Sequence, residues 1–272
     1  MTVAYYLELA EQADLLHEFE GGRFVAGEQV DPVSHERRLL VTYCTAGLAA
    51  NDTWWATLPA IAARLVGTPD AVMVRLDRTA GPPPSPWLRH TTYLRRTGEP
   101  ATAPPPRSEA VTVRPAVPQD EVSLRRWIGQ ALSNAATAQG HAAEHDDIQE
   151  TAAGLLSHPG RRSFAADHGA ATVGHATLLC EERDEITGEA YIELFDLLVE
   201  AAAEVRSAAT DALTRACLRW AAEAGLPLIG NVTHPLTPGA DGKAQRIVGA
   251  LIAQGWSQDH TLWYRTCPGK AS

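Results

Sequence analysis

The chain has 272 residues, 45% of them hydrophobic, and a formal net charge of −10 at pH 7. That length suits two modest domains, the composition suits a globular protein, and the acidic balance argues against broad nucleic-acid binding. The cysteines, Cys44, Cys180, Cys217 and Cys267, form no C-x-x-C pair, which excludes a zinc-ribbon or thioredoxin-type motif and leaves reduced thiols in a cytoplasmic compartment as the expectation. No apolar run reaches membrane-spanning length, and the start MTVAYYLELAEQ lacks a basic segment followed by an apolar core.

In chain order, residues 3–9 read equally as a strand or a helix start. Gly21-Gly22 marks a turn within residues 18–27. Residues 38–44 read as a strand. Asn51-Asp52-Thr53 is a helix-start signal, and Trp54, Leu58, Ile61, Ala62 and Leu65 continue it as one apolar stripe. Residues 71–76 and 90–95 read as two further strands. If a helix joins the first pair of strands, they are expected to lie parallel. Two proline clusters follow, GPPPSPW and PATAPPPR. The second reads as a semi-rigid linker. The expected organisation is a small α/β domain over residues 1–98, a linker over 99–109 and a second domain over 110–272.

The second domain opens with a strand at 111–115. Leu124, Trp127, Ile128, Ala131 and Leu132 then give one helix stripe, and Ile148, Ala152, Leu155 and Leu156 give another. Residues 163–167 and 172–179 read as strands joined at His168-Gly169, and an acidic hairpin tip follows at 181–188. The apolar run from Tyr191 to Val199 reads as a central strand. A helix over Leu213, Ala216, Cys217, Trp220, Ala221 and Ala224 follows it, with Asp211, Arg215, Arg219 and Glu223 spaced to pair on the opposite face. Between strand and helix, Arg206-Ser207-Ala208-Ala209-Thr210 reads as a turn of small residues whose free N–H groups, at a helix N-terminus, could receive an anion. Residues 226–233 form the next strand, 247–253 lie in a short helix ending at Gly255-Trp256, and 261–265 form the last strand.

The order β, α, α, β, β, β, α, β, α, β, β over residues 111–267 resembles that of the GNAT acyltransferase superfamily, and Gly255-Trp256 stands where that family usually has Gly-Phe. The shorter amino-terminal order resembles the second half of the same fold; a degenerate second copy and a plain α/β cap are equal readings. The resemblance implies an α/β (α+β) fold with a mixed central sheet flanked by helices. It also implies transfer of an acyl group from a thioester, with acyl-CoA (acetyl-CoA) as donor substrate, no metal, and a small-molecule amine as acceptor. Leu197, Leu198 and Val199 would hold the pantetheine arm, and Arg206, Ser207, Ala208, Ala209 and Thr210 the pyrophosphate. The family's Gln/Arg-x-x-Gly-x-Gly/Ala pattern falls on Glu204, Ser207 and Ala209, and the first two depart from it. The departure leaves room for a carrier-protein or aminoacyl-tRNA donor, and for a non-catalytic protein of the same fold. No other nucleic-acid partner and no membrane is expected.

The resemblance also implies a carboxylate base on the central strand, where Glu193 matches. Regular alternation would put Phe195, Leu197 and Val199 on its face and Asp196 on the other. Leu251 stands where the family often has its tyrosine acid, so His234 and Tyr264 are the substitutes; His234 needs little tuning to act near neutral pH. His141-Ala142-Ala143-Glu144-His145 fits the inverted zinc-peptidase pattern H-x-x-E-H. It lacks an apolar helix stripe before it, so a solvated loop or helix start is the expected reading.

Overall fold

The structure, a computed structural model, describes residues 1–98 and 111–267. The linker expected at 99–109 lies outside the described residues. The ambiguous opening is a helix, α1 (Val3–Gln12), whose N-cap Thr2 accepts a hydrogen bond from the Tyr5 amide. β1 (Leu16–Phe19) and β2 (Gly22–Val30) form a hairpin turning at Glu20-Gly21. Both turn residues have positive φ, 47° and 79°, which is why a glycine stands second. β3 (Arg37–Cys44) leads through a single helical turn, α2 (Ala46–Ala49), into α3 (Asp52–Val66). The expected helix start holds: Asn51 Oδ1 accepts from the Trp54 amide at 3.1 Å. β4 (Ala71–Asp77) and β5 (Leu88–Thr97) complete this half. Trp54, Leu58, Ile61 and Ala62 are buried in one cluster with Leu39, Val41, Val72 and Val74 of β3 and β4. Leu65, expected in that stripe, is 39% exposed. It borders an open groove with Leu16 and Phe24 instead.

The carboxy-terminal half follows the expected order. It comprises β6 (Val111–Pro115), α4 (Glu121–Ala138), α5 (His145–Ser157), β7 (Arg161–His168), β8 (Ala171–Arg183), β9 (Ala190–Val199), α6 (Ala203–Ala224), β10 (Pro227–Thr233), α7 (Gly242–Ala253) and β11 (Ser257–Thr266). Leu213, Cys217 and Ala221 of α6 pack without exposure on Ile192 and Leu228 of the sheet. Trp127 and Ile128 of α4 and Ala152 of α5 form a separate cluster on the opposite face, to which Phe195 and Leu198 of β9 contribute. The long helix starts earlier than expected. Arg206 already donates its amide to Ala202 O, so the turn expected over 206–210 is helical, and the link from β9 to α6 is only residues 200–202.

All the described strands belong to one 11-stranded sheet in the order β1-β2-β3-β4-β11-β5-β10-β9-β8-β7-β6. β3 and β4 are parallel, as are β9 and β10. The arrangement is pseudo-symmetric about the antiparallel pair β11–β5. Each half sends its last strand into the other: β5 lies beside β10, and β11 lies beside β4. One terminal strand follows the short helix, as expected at 261–265, where the GNAT order has two; β5 of the other half fills the second place. Neither half has a finished sheet alone, since removing β11 would leave a long bare edge on β4.

The two halves share a finer feature. The β3–β4 ladder stops at Val41–Val74 and the β9–β10 ladder stops at Leu194–Gly230. A register break follows at once in each, at Thr42 opposite Val25/Ala26 and at Phe195 opposite Thr177/Leu178. Each half therefore contains a fork whose inner strand bends at a β-bulge just past the vertex.

Candidate active site

Glu193 lies at the vertex of the carboxy-terminal fork, in register with Ile229 of β10 and next to Leu194, the last residue of β9 paired with β10. It faces Leu179 of β8 across the other ladder. No hydrogen-bond or ionic partner is recorded for its carboxylate among the described residues. Desolvation, followed by the charge of Glu182, pushes its pKa up to about 7. A carboxylate in that state can take a proton near neutral pH.

The bulge changes which residues share a face. Leu194, Leu197 and Val199 pack toward α6, whereas Phe195 and Leu198 pack toward α4 and α5. Asp196 stands opposite Thr177, and its carboxylate accepts from His175 Nε2 across 2.9 Å. Alternation had joined Glu193 with Leu197 and Val199 and set Asp196 apart. With one residue extra at Phe195, Glu193 instead shares its face with Phe195, Asp196 and Leu198, and Leu197 and Val199 turn away. Backbone groups of Leu197, Leu198 and Val199 still border the fork, because β10 no longer pairs with β9 there.

A polar chain behind the fork was not legible in the sequence. Ser163 Oγ meets Thr177 Oγ1 at 3.0 Å, Thr177 meets His175 Nδ1 at 3.1 Å, and His175 Nε2 meets Asp196. His175 is fully buried and stacks on Trp127, with ring centroids 5.4 Å apart and 3° between planes. Asp196 and His175 are 21 positions apart, and only hairpin register brings them together.

The substitutes for a proton donor are not at the vertex. His234 is 1% exposed, its Nε2 bonded to Thr92 Oγ1 at 2.9 Å and its Nδ1 to Asp241. It lies just past the end of β10, beyond the Gly230 at which the pairing with β9 stops. Tyr264 donates its hydroxyl to Glu36 at 2.7 Å, and burial raises its pKa further. Leu251 is packed in the α6 cluster.

The expected pyrophosphate cradle is absent as a cradle. Ser207, Ala208, Ala209 and Thr210 lie inside α6, where their amides serve the helix. Arg206 bonds its guanidinium to Ala201 O at 2.8 Å. The free amides are those of Ala203, Glu204 and Val205, flanked by the carboxylates of Glu204 and Glu200, the latter held by Arg126 and Trp127. Without glycines to bend the chain, a run of alanines winds into helix as soon as β9 ends. The H-x-x-E-H pattern is likewise dispersed: His141 sits in a loop 3.8 Å from Glu36, and His145 opens α5. Among the described residues, no group of His, Cys, Asp and Glu has the geometry to hold a metal ion.

The fold is GNAT-like by its strand order, by two forks of parallel strands and by the placement of helices on both faces of the sheet. No protein-family model matches the sequence, and no curated protein matches it. Among solved structures, a tandem GNAT protein from the clavulanic acid biosynthesis pathway aligns over 99% of this chain and 96% of its own, with 13% identity and a TM-score of 0.46. A GCN5-related N-acetyltransferase from Kribbella flavida aligns over 97% and 96%, with 14% identity and a TM-score of 0.44. One from Sphaerobacter thermophilus aligns over 92% and 78%, with 14% identity and a TM-score of 0.47. At these scores the description of the fold rests on its own topology. No described helix is long and apolar enough to cross a membrane.

Proposed function

We propose that the chain is an acyltransferase whose carboxy-terminal fork takes a thioester and whose Glu193 is the general base toward a small amine. The observation that carries this reading is the desolvated carboxylate at the vertex, with its pKa raised to about 7. The edge of residues 197–199 that faces β10 has no ladder, although its other edge pairs with β8, and it supports the reading as a place for the amides of a pantetheine arm. In the reaction, Glu193 takes a proton from the ammonium form of the acceptor, directly or through one water. The freed amine attacks the thioester carbonyl and the new C–N bond forms; the nitrogen gives its second proton to solvent, and the C–S bond breaks. The sulfur leaves as thiolate and is protonated by solvent, since neither His234 nor Tyr264 stands at the vertex.

Donor recognition in this reading rests on the acyl-pantetheine portion rather than on the pyrophosphate, because Arg206 and the amides of Ser207, Ala208, Ala209 and Thr210 are engaged within α6 and its start. Acetyl-CoA and a pantetheine-bearing carrier protein are both compatible donors. The test is thiol release from acetyl-CoA and from acetyl-pantetheine, with a panel of small amines, for the wild type and Glu193→Gln. Acetyl-pantetheine within about threefold of acetyl-CoA in kcat/KM, and a turnover loss of about a hundredfold or more in the variant, are expected. Wild-type turnover in Glu193→Gln would overturn the assignment of the base.

A further inference from the structure

The amino-terminal fork holds a cavity of about 570 Å³, a volume in the range of small-ligand sites. Past Val41 and Val74, β3 and β4 part. β3 remains bonded to β2 as far as Cys44, and β4 to β11 as far as Asp77. The inward edges of residues 42–44 and 75–77 thus face each other across the cavity without a ladder between them. Strand edges of this kind accept an extended chain with amide groups, as an added strand would supply. Trp55 lines the cavity and is held by a bond from its Nε1 to Ala49 O at 2.9 Å. Ile186 closes it from the β8–β9 hairpin of the other half, so the site exists only in the full chain.

The charge of the cavity is acidic. Asp52 and Asp77 line it, and no ionic partner is recorded for either among the described residues. Arg75, its cation, is already paired with Asp184 on the same hairpin. Two unpaired carboxylates oppose a phosphate-bearing ligand and favour a cationic one. Chemistry on the ligand is excluded at the two obvious places. Leu40 occupies the position that Glu193 holds in the other fork, so no base stands at this vertex. The thiol of Cys44 is pushed up to about 12 by burial and then by Asp77, so it is no nucleophile.

We infer that the fork between β3 and β4 is a non-catalytic binding site for an extended, amide-bearing ligand that carries a positive charge, a short basic peptide by class. Its amides run between the two strand edges, and its cation meets Asp52 and Asp77. The inference is independent of which donor the other fork takes.

The test uses N-acetyl-glycyl-lysine amide, with N-acetyl-glycyl-norleucine amide as its uncharged isostere, titrated by calorimetry and by tryptophan fluorescence into the full chain. The lysine peptide is expected to bind at least about tenfold more tightly than the norleucine peptide, with an affinity that falls as salt rises. Asp77→Asn is expected to remove most of that difference. Ala50→Trp adds bulk at an exposed wall of the cavity and is expected to abolish binding of both peptides. Equal binding of the two peptides, or binding undisturbed by Ala50→Trp, would overturn the inference. So would failure of the lysine peptide to bind at millimolar concentration, or acetyl-CoA binding that Ala50→Trp abolishes.

Discussion

Replacing Glu193 by glutamine separates a poised base from an ordinary surface acid by its effect on stability as well as on rate. The native carboxyl has a pKa of about 7 against the usual 4.5, so the folded state holds a proton between these values that the unfolded chain has released. Stability from this group is therefore full below pH 4.5 and is lost as pH rises toward 7. At about 1.4 kcal/mol per pH unit, the loss is about 3 kcal/mol. Glutamine, which cannot ionise, does not suffer it. Glu193→Gln should match the wild type in urea unfolding at pH 4.5, apart from a constant offset, and gain on it by about 3 kcal/mol by pH 8. Wild-type turnover should rise as its stability is lost: the rate climbs from pH 6 to 8 with the ionised fraction of Glu193, from about a tenth to about nine tenths. A stability difference between the two proteins that is the same at pH 4.5 and pH 8 would refute the desolvation argument, whatever happens to turnover.

Other outcomes are open to direct measurement. Glu182 is the charge that assists desolvation at Glu193, so Glu182→Gln should shift the acid limb of the pH–rate profile to lower pH while leaving the rate above pH 8 nearly unchanged. His234→Ala should cost about 1–3 kcal/mol by orphaning buried Thr92 and one oxygen of half-buried Asp241, whose other oxygen keeps Gln245 and Arg89, and the pH–rate profile should keep its midpoint; a moved midpoint would bring His234 back as an acid or base. Trp54 has no exposure and touches both Phe24 and Trp55, so Trp54→Ala should lower unfolding free energy by about 3–5 kcal/mol in urea titration.

Much of the architecture was readable because it is written in local periodicity. Asn51 before an apolar stripe sets the start of α3, Gly169 and Gly255 mark chain reversals with positive φ, and the alanine-rich stripe of α6 lies on the core. The parallel pairing of β3 with β4 followed from a helix between them, which is a rule of connection rather than of contact. The sequence shows two acids, Glu193 and Asp196, in one apolar run; the family resemblance singled out Glu193, and its raised pKa follows from the burial that such a run predicts.

What the sequence could not decide depended on pairs of distant segments. The bulge at Phe195 arises from the fit of β9 to β8, and one extra residue reverses the facing of Leu197 and Val199 while joining Asp196 to His175. The exchange of β5 and β11 between halves is a choice among sheet edges that no window of residues contains. Even the start of α6 differs from expectation: a turn was read from the small residues at 206–210, while Ala201, Ala202, Ala203 and Glu204 favour helix over a glycine-bent loop. Short-range propensity and patterning determined the elements; long-range register determined which of their side chains meet, because facing in a strand reverses with every single residue inserted.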